Sequence, residues 1–306
     1  MPVVLRTQDI EGMSRLWSLS KGLRSVKVAV LDGSVDFCHP SLVNSSVLPM
    51  EFGGSRLQRF ASSKAHGTSV CSLIFSKSYG DLEGIAPDCT GLSVDIFSFD
   101  RTEGSAQCTE PLLAYAINRS LEFCVDIINI SGGFDVRGCS ASPLLRSALE
   151  RCSKRGTLVV SSVSNSGLEI TSVPACLPGV IAVGSADGSG RPSRFSSFDT
   201  RIARRGILAP GENLLCAAPN SRTAVRSGTS YAAAVVSGVA AVLLSIARVR
   251  QIAVSAIQIG NLLLNTVSTC SSSENEERQR CLGGRLNIDA ALECVISGGK
   301  NGRGFG

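Results

Sequence analysis

The sequence predicts an α/β protein in which a parallel β-sheet carries helices on both of its faces. Short apolar runs of strand length alternate with longer segments of helical period over the whole chain, which is typical of such sheets. Hydrophobic residues make up 43% of the 306 residues and charged residues only 18%, which indicates a large buried core rather than disorder. We expect one domain over residues 1–297 and a flexible tail over residues 298–306.

The predicted strands are short, continuous and rich in Val and Ile, as expected for strands buried on both faces. In chain order they span 26–31, 92–97, 126–130, 157–161 and 180–183. The predicted helices lie before, between and after the strands, where apolar residues recur every three to four positions. They span 13–20, 70–75 with its preceding turn, 111–123, 143–154, 230–246, 253–266 and 288–296.

The longest apolar run, 232–247, is rich in Ala and is interrupted by Ser237, Gly238 and Ser245. It is short for a membrane span, so we interpret it as a buried helix. The N-terminal residues lack the basic region and apolar stretch of a secretory signal. We therefore expect a soluble, cytoplasmic protein without a membrane partner.

The charge pattern excludes further classes of function. A formal net charge of +5 is too small to indicate a nucleic-acid partner, and we interpret the group Arg201, Arg204 and Arg205 as a solvated loop. The scattered carboxylates Asp36, Asp88 and Asp95 lack the dense oxygen-ligand loop of a calcium site, and we interpret them as surface residues. The sequence thus predicts neither a metal nor a cofactor, and it leaves the oligomeric state open.

None of the 12 cysteines belongs to a CxxC pair, which excludes zinc ribbons and thioredoxin-like motifs. Cys71 and Cys124 lie in apolar runs and are interpreted as small core residues. Cys270 and Cys281 differ, because they bracket a polar loop that a local disulfide could close. The sequence leaves that pairing open.

Polar residues follow the predicted strands at their carboxyl ends, where α/β sheets bind their ligands. Asp32 follows the first strand, residues 131–133 follow the third, and Asn165 follows the fourth. Ser230 instead opens the longest helix. These positions predict a functional site along one edge of the sheet.

The protein has only two histidines, so an imidazole catalyst must be His39 or His66. His39 precedes Pro40 and is interpreted as a turn residue. His66 opens the segment HGTSV, which places its imidazole at a predicted helix N-terminus, facing the site. It follows Asp32 by 34 positions and precedes Ser230. A carboxylate that orients an imidazole, and an imidazole that removes the serine proton, make a serine nucleophile reactive.

Two further features suit attack on a carbonyl group. The glycine before Thr229 allows the substrate backbone to approach closely, and the helix that starts at Ser230 directs its N–H groups at a developing oxyanion. Asn165 is a candidate second donor, because an amide side chain can direct an N–H at an alkoxide. The order Asp, His, Ser with an Asn between the last two is a strong pattern.

These segments resemble the subtilisin-like serine proteases, which share that chain order. The matching motifs are AVLDGSVD around Asp32, HGTSV at His66 and SGTSYA around Ser230. GIAP at 84–87 and NISGG at 129–133 also resemble landmarks of that family. The resemblance covers residues 26–246 and implies a subtilisin-like peptidase domain.

The resemblance also implies a role for each site residue. Asp32 would be the orienting carboxylate, His66 the general base, Ser230 the nucleophile and Asn165 an oxyanion donor. An edge along which the substrate peptide pairs as a strand would be formed by Ser131, Gly132 and Gly133.

This chain departs from the family pattern at three positions. Gly33 replaces the Ser or Thr that usually follows the aspartate, which removes a hydroxyl that could support Asp32. Ser164 replaces the Gly that usually precedes the oxyanion Asn, and Ala234 replaces a Pro after the nucleophile. None of these departures removes a reacting group, but they leave open a catalytically inactive protein that binds a peptide.

A narrower resemblance lies outside the triad. The segments DIEGMSRLW, LDG, GILAPGENLLCAA and RCLGGRLNIDAAL are similar to those of the cyanobactin maturation proteases, which process ribosomally made precursor peptides. One kind of these enzymes cleaves off the leader, and the other macrocyclises the core peptide and carries a helical insertion between its aspartate and histidine. The segment FGGSRLQRFASSK has no helical period here, so the resemblance favours the leader-cleaving kind. The macrocyclising activity is the alternative.

Overall fold

The computed structural model describes residues 3–50, 61–100, 105–136, 138–270 and 279–298. In chain order the strands are β1 (Lys27–Asp32), β2 (Val47–Met50), β3 (Thr90–Asp95), β4 (Ser98–Asp100), β5 (Ser105–Gln107), β6 (Ile127–Ile130), β7 (Phe134–Val136), β8 (Leu158–Ser162), β9 (Thr171–Val173), β10 (Val180–Ala186), β11 (Gly206–Pro210), β12 (Leu214–Ala218) and β13 (Arg222–Arg226). The helices are α1 (Met13–Leu19), α2 (Ala61–Phe75), α3 (Glu110–Glu122), α4 (Pro143–Arg155), α5 (Thr229–Val249), α6 (Ala256–Asn265) and α7 (Ile288–Ile296).

Seven strands form one sheet in the order β11-β10-β8-β6-β1-β3-β2, and every neighbouring pair is parallel. Alternate residues of β1 face opposite sides. Val28 and Val30 join the core that contains α2 and α5, whereas Ala29 and Leu31 join the core that contains α3 and α4. The predicted α/β class, with helices on both faces of a parallel sheet, is confirmed.

The α5 helix is the centre of the first core. It is long and apolar enough to cross a membrane, but 89% of its most apolar stretch is buried in the fold. Ala234 is the sixth residue of this unbroken helix and is fully buried, so α5 continues without interruption where the family usually has Pro. The interpretation of the apolar run as a buried helix is confirmed.

The predicted strands and helices occur with shifted ends, and several elements were missed. The β2 strand contains Pro49 and exposes Leu48, as edge strands do, so it lacks the apolar run of a buried strand. The α2 helix begins at Ala61, before the predicted start in the turn that precedes residue 70, although Ser, Gly and Thr in this stretch are weak helix formers. The segment FGGSRLQRFASSK, residues 52–64, was predicted to contain no helix. This prediction is wrong for residues 61–64, and residues 52–60 lie outside the described residues.

The cysteine predictions had mixed outcomes. Cys71 is fully buried as predicted, but Cys124 is exposed in the turn between α3 and β6, with a positive φ of 54°. A disulfide joins Cys270 to Cys281, the pairing that the sequence left open. A second disulfide, which the sequence did not indicate, joins Cys139 to Cys176.

Asp36 is not a surface carboxylate. It is buried, it accepts a hydrogen bond from the Asn220 N–H, and it pairs with Lys64 at 3.2 Å. Asp88 is exposed as predicted and pairs with Lys77. Of the predicted tail, only residue 298 lies within the described part of the chain.

Candidate active site

Asp32 and His66 meet at the carboxyl end of β1. Asp32 is the last residue of this strand, and His66 lies in the second turn of α2 rather than at its N-terminus. The His66 Nδ1–H donates to Asp32 Oδ1 over 2.7 Å. The His66 side chain keeps about a third of its surface exposed, whereas the Asp32 side chain is almost completely buried.

Two glycines permit this contact. A Cβ atom on Gly33 would lie 2.1 Å from the Ser63 carbonyl oxygen, and one on Gly67 would lie 2.1 Å from the Gly33 carbonyl oxygen. The loop after β1 therefore lies directly against the backbone of α2. Gly33 is explained by this close approach, which any side chain at that position would prevent.

The surroundings of His66 favour its protonated form overall. Burial lowers the pKa of His66, but the charge of Asp32 and the hydrogen bond to it raise the pKa and together outweigh burial. The nearby charge of Arg226 lowers the pKa again. Because Asp32 accepts the Nδ1 proton, neutral His66 presents Nε2 as the basic atom.

Ser230 is the second residue of α5, and its side chain is buried beside the end of β6. Its hydroxyl donates to the carbonyl oxygen of Ser131 over 3.2 Å, and in the described part of the chain no hydrogen bond joins it to His66. The hydroxyl must therefore turn towards His66 before a proton can pass between them. Such contacts are often loose when no substrate is bound.

Two N–H donors converge in front of Ser230. The side-chain oxygen of Asn165 accepts from the Thr229 N–H over 2.9 Å, which fixes the amide and leaves its NH₂ group to donate. The next N–H groups, of Tyr231 and Ala232, bind the Gly228 carbonyl oxygen. The Ser230 N–H has no acceptor among the described residues, so it can donate a hydrogen bond to an oxyanion together with the Asn165 side chain.

Ser164, the second departure, has a role in this arrangement. Its hydroxyl donates to Asp135 Oδ2 in β7 over 2.8 Å, and its carbonyl oxygen accepts from the Ser197 N–H. These bonds hold the segment that carries Asn165 against β7. The structure thus places Asn165 beside the start of α5 with Ser present at position 164.

Ser131, Gly132 and Gly133 lie between β6 and β7, where the sequence predicts an edge for the substrate. Ser131 is buried and contacts Ser230, whereas Gly133 is exposed. A Cβ atom on Gly133 would lie 2.6 Å from the Val173 carbonyl oxygen of β9. Gly133 thus lies directly against the backbone of β9, and the role of this segment as a substrate edge stays a prediction.

His39 lies outside the site. It is fully buried in a turn, with Nδ1 bonded to the Ser41 hydroxyl and Nε2 bonded to the Arg222 carbonyl oxygen. Its interpretation as a turn residue is confirmed, and His66 is the histidine that meets Asp32.

Sequence reasoning missed two neighbours of His66. The Tyr231 ring lies 5.4 Å from the His66 ring between centroids, and burial raises the pKa of the Tyr231 phenol, which therefore stays neutral. Arg226 ends β13 and acts on His66 through its charge. Tyr231 could have been found because it follows Ser230 directly, but Arg226 reaches the site through a hairpin that the sequence did not reveal.

The parallel sheet, the Asp32–His66 contact and the serine at the start of α5 together have the architecture of a subtilisin-like serine protease. The model of the subtilase family of peptidases matches residues 24–284. The chain belongs to this family, and it is a subtilisin-like serine protease.

Curated relatives agree with this assignment. The major intracellular serine protease of Bacillus subtilis strain 168 is 34% identical over 239 residues, which are 75% of this chain and 72% of that protein. The thermophilic serine proteinase of Bacillus sp. strain AK1 is 30% identical, and the match spans 75% of this chain but only 54% of that protein.

Solved structures include similar proteins from peptide maturation. The prenylagaramide maturation protease PagA has a TM-score of 0.86 and 36% identity, with 94% of this chain and 99% of that chain covered. The patellamide maturation protease PatA has a TM-score of 0.82 and 38% identity, covering 90% and 98%. The PatG macrocyclase in complex with peptide has a TM-score of 0.86 but 25% identity, covering 98% and 100%.

Proposed function

We propose that this protein cleaves a ribosomally made precursor peptide and thereby removes its leader segment. The observation that carries the proposal is the 2.7 Å contact of Asp32 with His66, beside a serine whose own N–H is free to bind an oxyanion. Similarity to the maturation proteases PagA and PatA supports the substrate class. Their identities of 36% and 38% exceed the 25% of the PatG macrocyclase.

In the proposed mechanism Ser230 Oγ attacks the scissile carbonyl carbon while His66 Nε2 accepts the hydroxyl proton. The oxyanion receives hydrogen bonds from the Ser230 N–H and the Asn165 side chain. His66 then protonates the leaving amine, which departs and leaves an acyl-enzyme ester on Ser230. A water molecule, deprotonated by His66, releases the acid and regenerates the serine. Asp32 keeps Nε2 as the basic atom throughout.

The first experiment measures intact mass after treatment with a fluorophosphonate, which reacts only with an activated serine. We expect one adduct on the wild type and none on Ser230→Ala. Ser227→Ala is the matched control, because Ser227 is an exposed serine in the same segment whose hydroxyl oxygen accepts a hydrogen bond from the Asn213 N–H. It should keep the adduct.

The second experiment follows a precursor peptide by mass spectrometry. Linear fragments ending at the leader boundary support the proposal, whereas a cyclic core, lighter than the linear acid by one water, would identify a macrocyclase. Asn165→Ala should slow cleavage by about 10²–10³, the loss that follows removal of one such donor in subtilisin. A rate within about twofold of the wild type would remove Asn165 from the oxyanion site.

A folded wild type that binds the precursor but gives no adduct would show an inactive, peptide-binding protein.

The cytoplasmic location expected from the sequence is likewise a proposal, and fractionation of the source cells tests it. An oligomeric state is not part of this proposal.

A further inference from the structure

A cavity of about 420 Å³ lies between the second turn of α2 and the β12–β13 hairpin. Lys64 and Ala65, which directly precede His66, form one wall, while Arg222, Thr223 and Arg226 contribute to the wall from β13. The lining contains no residue of the predicted substrate edge at 131–133. The cavity is therefore distinct from that edge.

Three of the lining side chains are cationic, and only one of them has a carboxylate partner. Lys64 pairs with the buried Asp36 at 3.2 Å. Arg222 donates from Nε to the Pro219 carbonyl oxygen, which carries no charge. Within the described ranges, neither Arg222 nor Arg226 forms a salt bridge.

Arg226 has the least satisfied side chain of the three. Its Nε atom is shut off from solvent and lacks a hydrogen-bond partner in the part of the chain that the structure describes. An unmade hydrogen bond at a buried donor destabilises the protein, and the planar guanidinium group of arginine can bind a carboxylate through two parallel hydrogen bonds. The positive charge of Arg226 also lowers the pKa of His66.

We propose that this basic pocket binds the carboxylate side chain of an aspartate or glutamate in the peptide substrate, next to the scissile bond, with Arg226 as the specificity-determining residue. The proposal rests on the proposed peptidase function and deepens it by naming the substrate class. His66 directly follows the lining residue Ala65, and its ring lies 5.4 Å from the ring of Tyr231, the residue after Ser230. On this arrangement, a peptide held on Ser230 would place a neighbouring residue within reach of Arg226.

The test begins with a mixture of peptides digested by the wild-type protein, with the cleaved bonds identified by mass spectrometry. We expect Asp and Glu to be enriched at one position close to the cleaved bond. Two peptides that differ only by Glu or Gln at that position then give a ratio of kcat/KM. This ratio should favour Glu by about 10- to 100-fold, the range of one charge-assisted hydrogen bond.

Variants assign the preference to the pocket. Arg226→Ala should bring the Glu/Gln ratio close to one, and Arg226→Glu should reverse the preference in favour of a Lys peptide. The control Val225→Ala changes the exposed neighbour on the same strand and should keep the ratio. A change of the His66 pKa affects both peptides equally and cancels in the ratio.

Fluorophosphonate labelling separates the two possible failures. If the wild type and Arg226→Ala are labelled but the wild type shows no acidic preference, the pocket proposal is wrong and the peptidase proposal stands. A preference that persists in both Arg226 variants also overturns the pocket proposal. If the wild type is not labelled, the proposed peptidase function itself fails.

Discussion

At the scale of single residues, the carboxylate of Asp32 accepts few hydrogen bonds. Its Oδ1 atom accepts from the Gly33 N–H over 2.6 Å and from His66, whereas Oδ2 is buried and lacks a partner among the described residues. A hydroxyl group on a side chain at position 33 could donate a hydrogen bond to Oδ2, but the carbonyl oxygen of Ser63 occupies the space that this side chain would need. The orientation of His66 thus depends on a single carboxylate oxygen.

The pH dependence of Asp32→Asn tests this dependence. Catalysis requires neutral His66, so in the wild type kcat/KM should rise with pH through the raised pKa of His66. Without the Asp32 charge, burial and Arg226 remain, and both lower the pKa of His66. The acidic limb of the profile should therefore move to lower pH, while the rate falls by about 10⁴ because the Nδ1 tautomer is no longer enforced.

Asp88→Asn is the control for this profile, because Asp88 is an exposed carboxylate that pairs with Lys77 and not with a residue of the candidate site. Its profile should match the wild type. An acidic limb that moves to higher pH in Asp32→Asn would contradict the assignment of Asp32 as the group that raises the pKa of His66.

At the scale of elements, the site depends on how closely the end of β1 approaches α2. Gly33 lies against the backbone of Ser63 and Gly67 lies against the backbone of Gly33 across this junction, and His66 directly precedes Gly67. A side chain at either position would push the strand end and the helix apart. The distance between Asp32 and His66 is therefore set by backbone contact and not by long side chains.

Gly67→Ala should separate the two elements. The added Cβ atom would meet the Gly33 carbonyl oxygen at 2.1 Å, so we expect a loss of about 1–3 kcal/mol in the free energy of unfolding. We also expect much slower fluorophosphonate labelling, because His66 is displaced from Asp32. Urea unfolding and the labelling rate measure the two effects.

Gly188→Ala is the matched control, since a Cβ atom there meets nothing within 4 Å. It should change neither quantity by more than the experimental error. Unchanged stability and labelling in Gly67→Ala would show that the junction is less tightly packed than the structure indicates.

The same junction shows what the sequence could and could not predict. Asp32, His66 and Ser230 were predictable because their chemistry requires particular residue types within short local motifs. Arg226 and the β12–β13 hairpin were not, because strand pairing and pocket walls arise from contacts between distant segments. The start of α2 was missed for a similar reason, since packing against Gly33 and not helix propensity determines it.

At the scale of the whole molecule, two disulfides close loops of different length. Cys139 and Cys176 enclose 37 positions of the chain and connect the loops that follow β7 and β9, whereas Cys270 and Cys281 enclose 11. Since β7 directly follows the predicted substrate edge and pairs with β9, the longer bridge joins the two loops that follow this strand pair.

Replacing both cysteines of one bridge by serine should lower the free energy of unfolding, and the loss should be somewhat larger for the bridge that encloses the longer stretch of chain. Loop-closure entropy gives about 4 kcal/mol for Cys139 with Cys176 and about 3 kcal/mol for Cys270 with Cys281. Denaturant unfolding under non-reducing conditions measures the difference, and the exposed free Cys38, changed to Ser, is the control. A loss no larger than that of the control would show that the bridge does not form in solution.

The distance in sequence between Asp32 and Ser230 also has a consequence for biosynthesis. A nascent chain presents Asp32 and His66 early, but the nucleophile and the central helix that fills the first core emerge only after most of the sheet. Until α5 has left the ribosome, the chain has neither a reactive serine nor a complete core. A nascent chain that has not yet added α5 therefore lacks the nucleophile and cannot attack other polypeptides around it, while the core around α5 is completed only by α6 and α7.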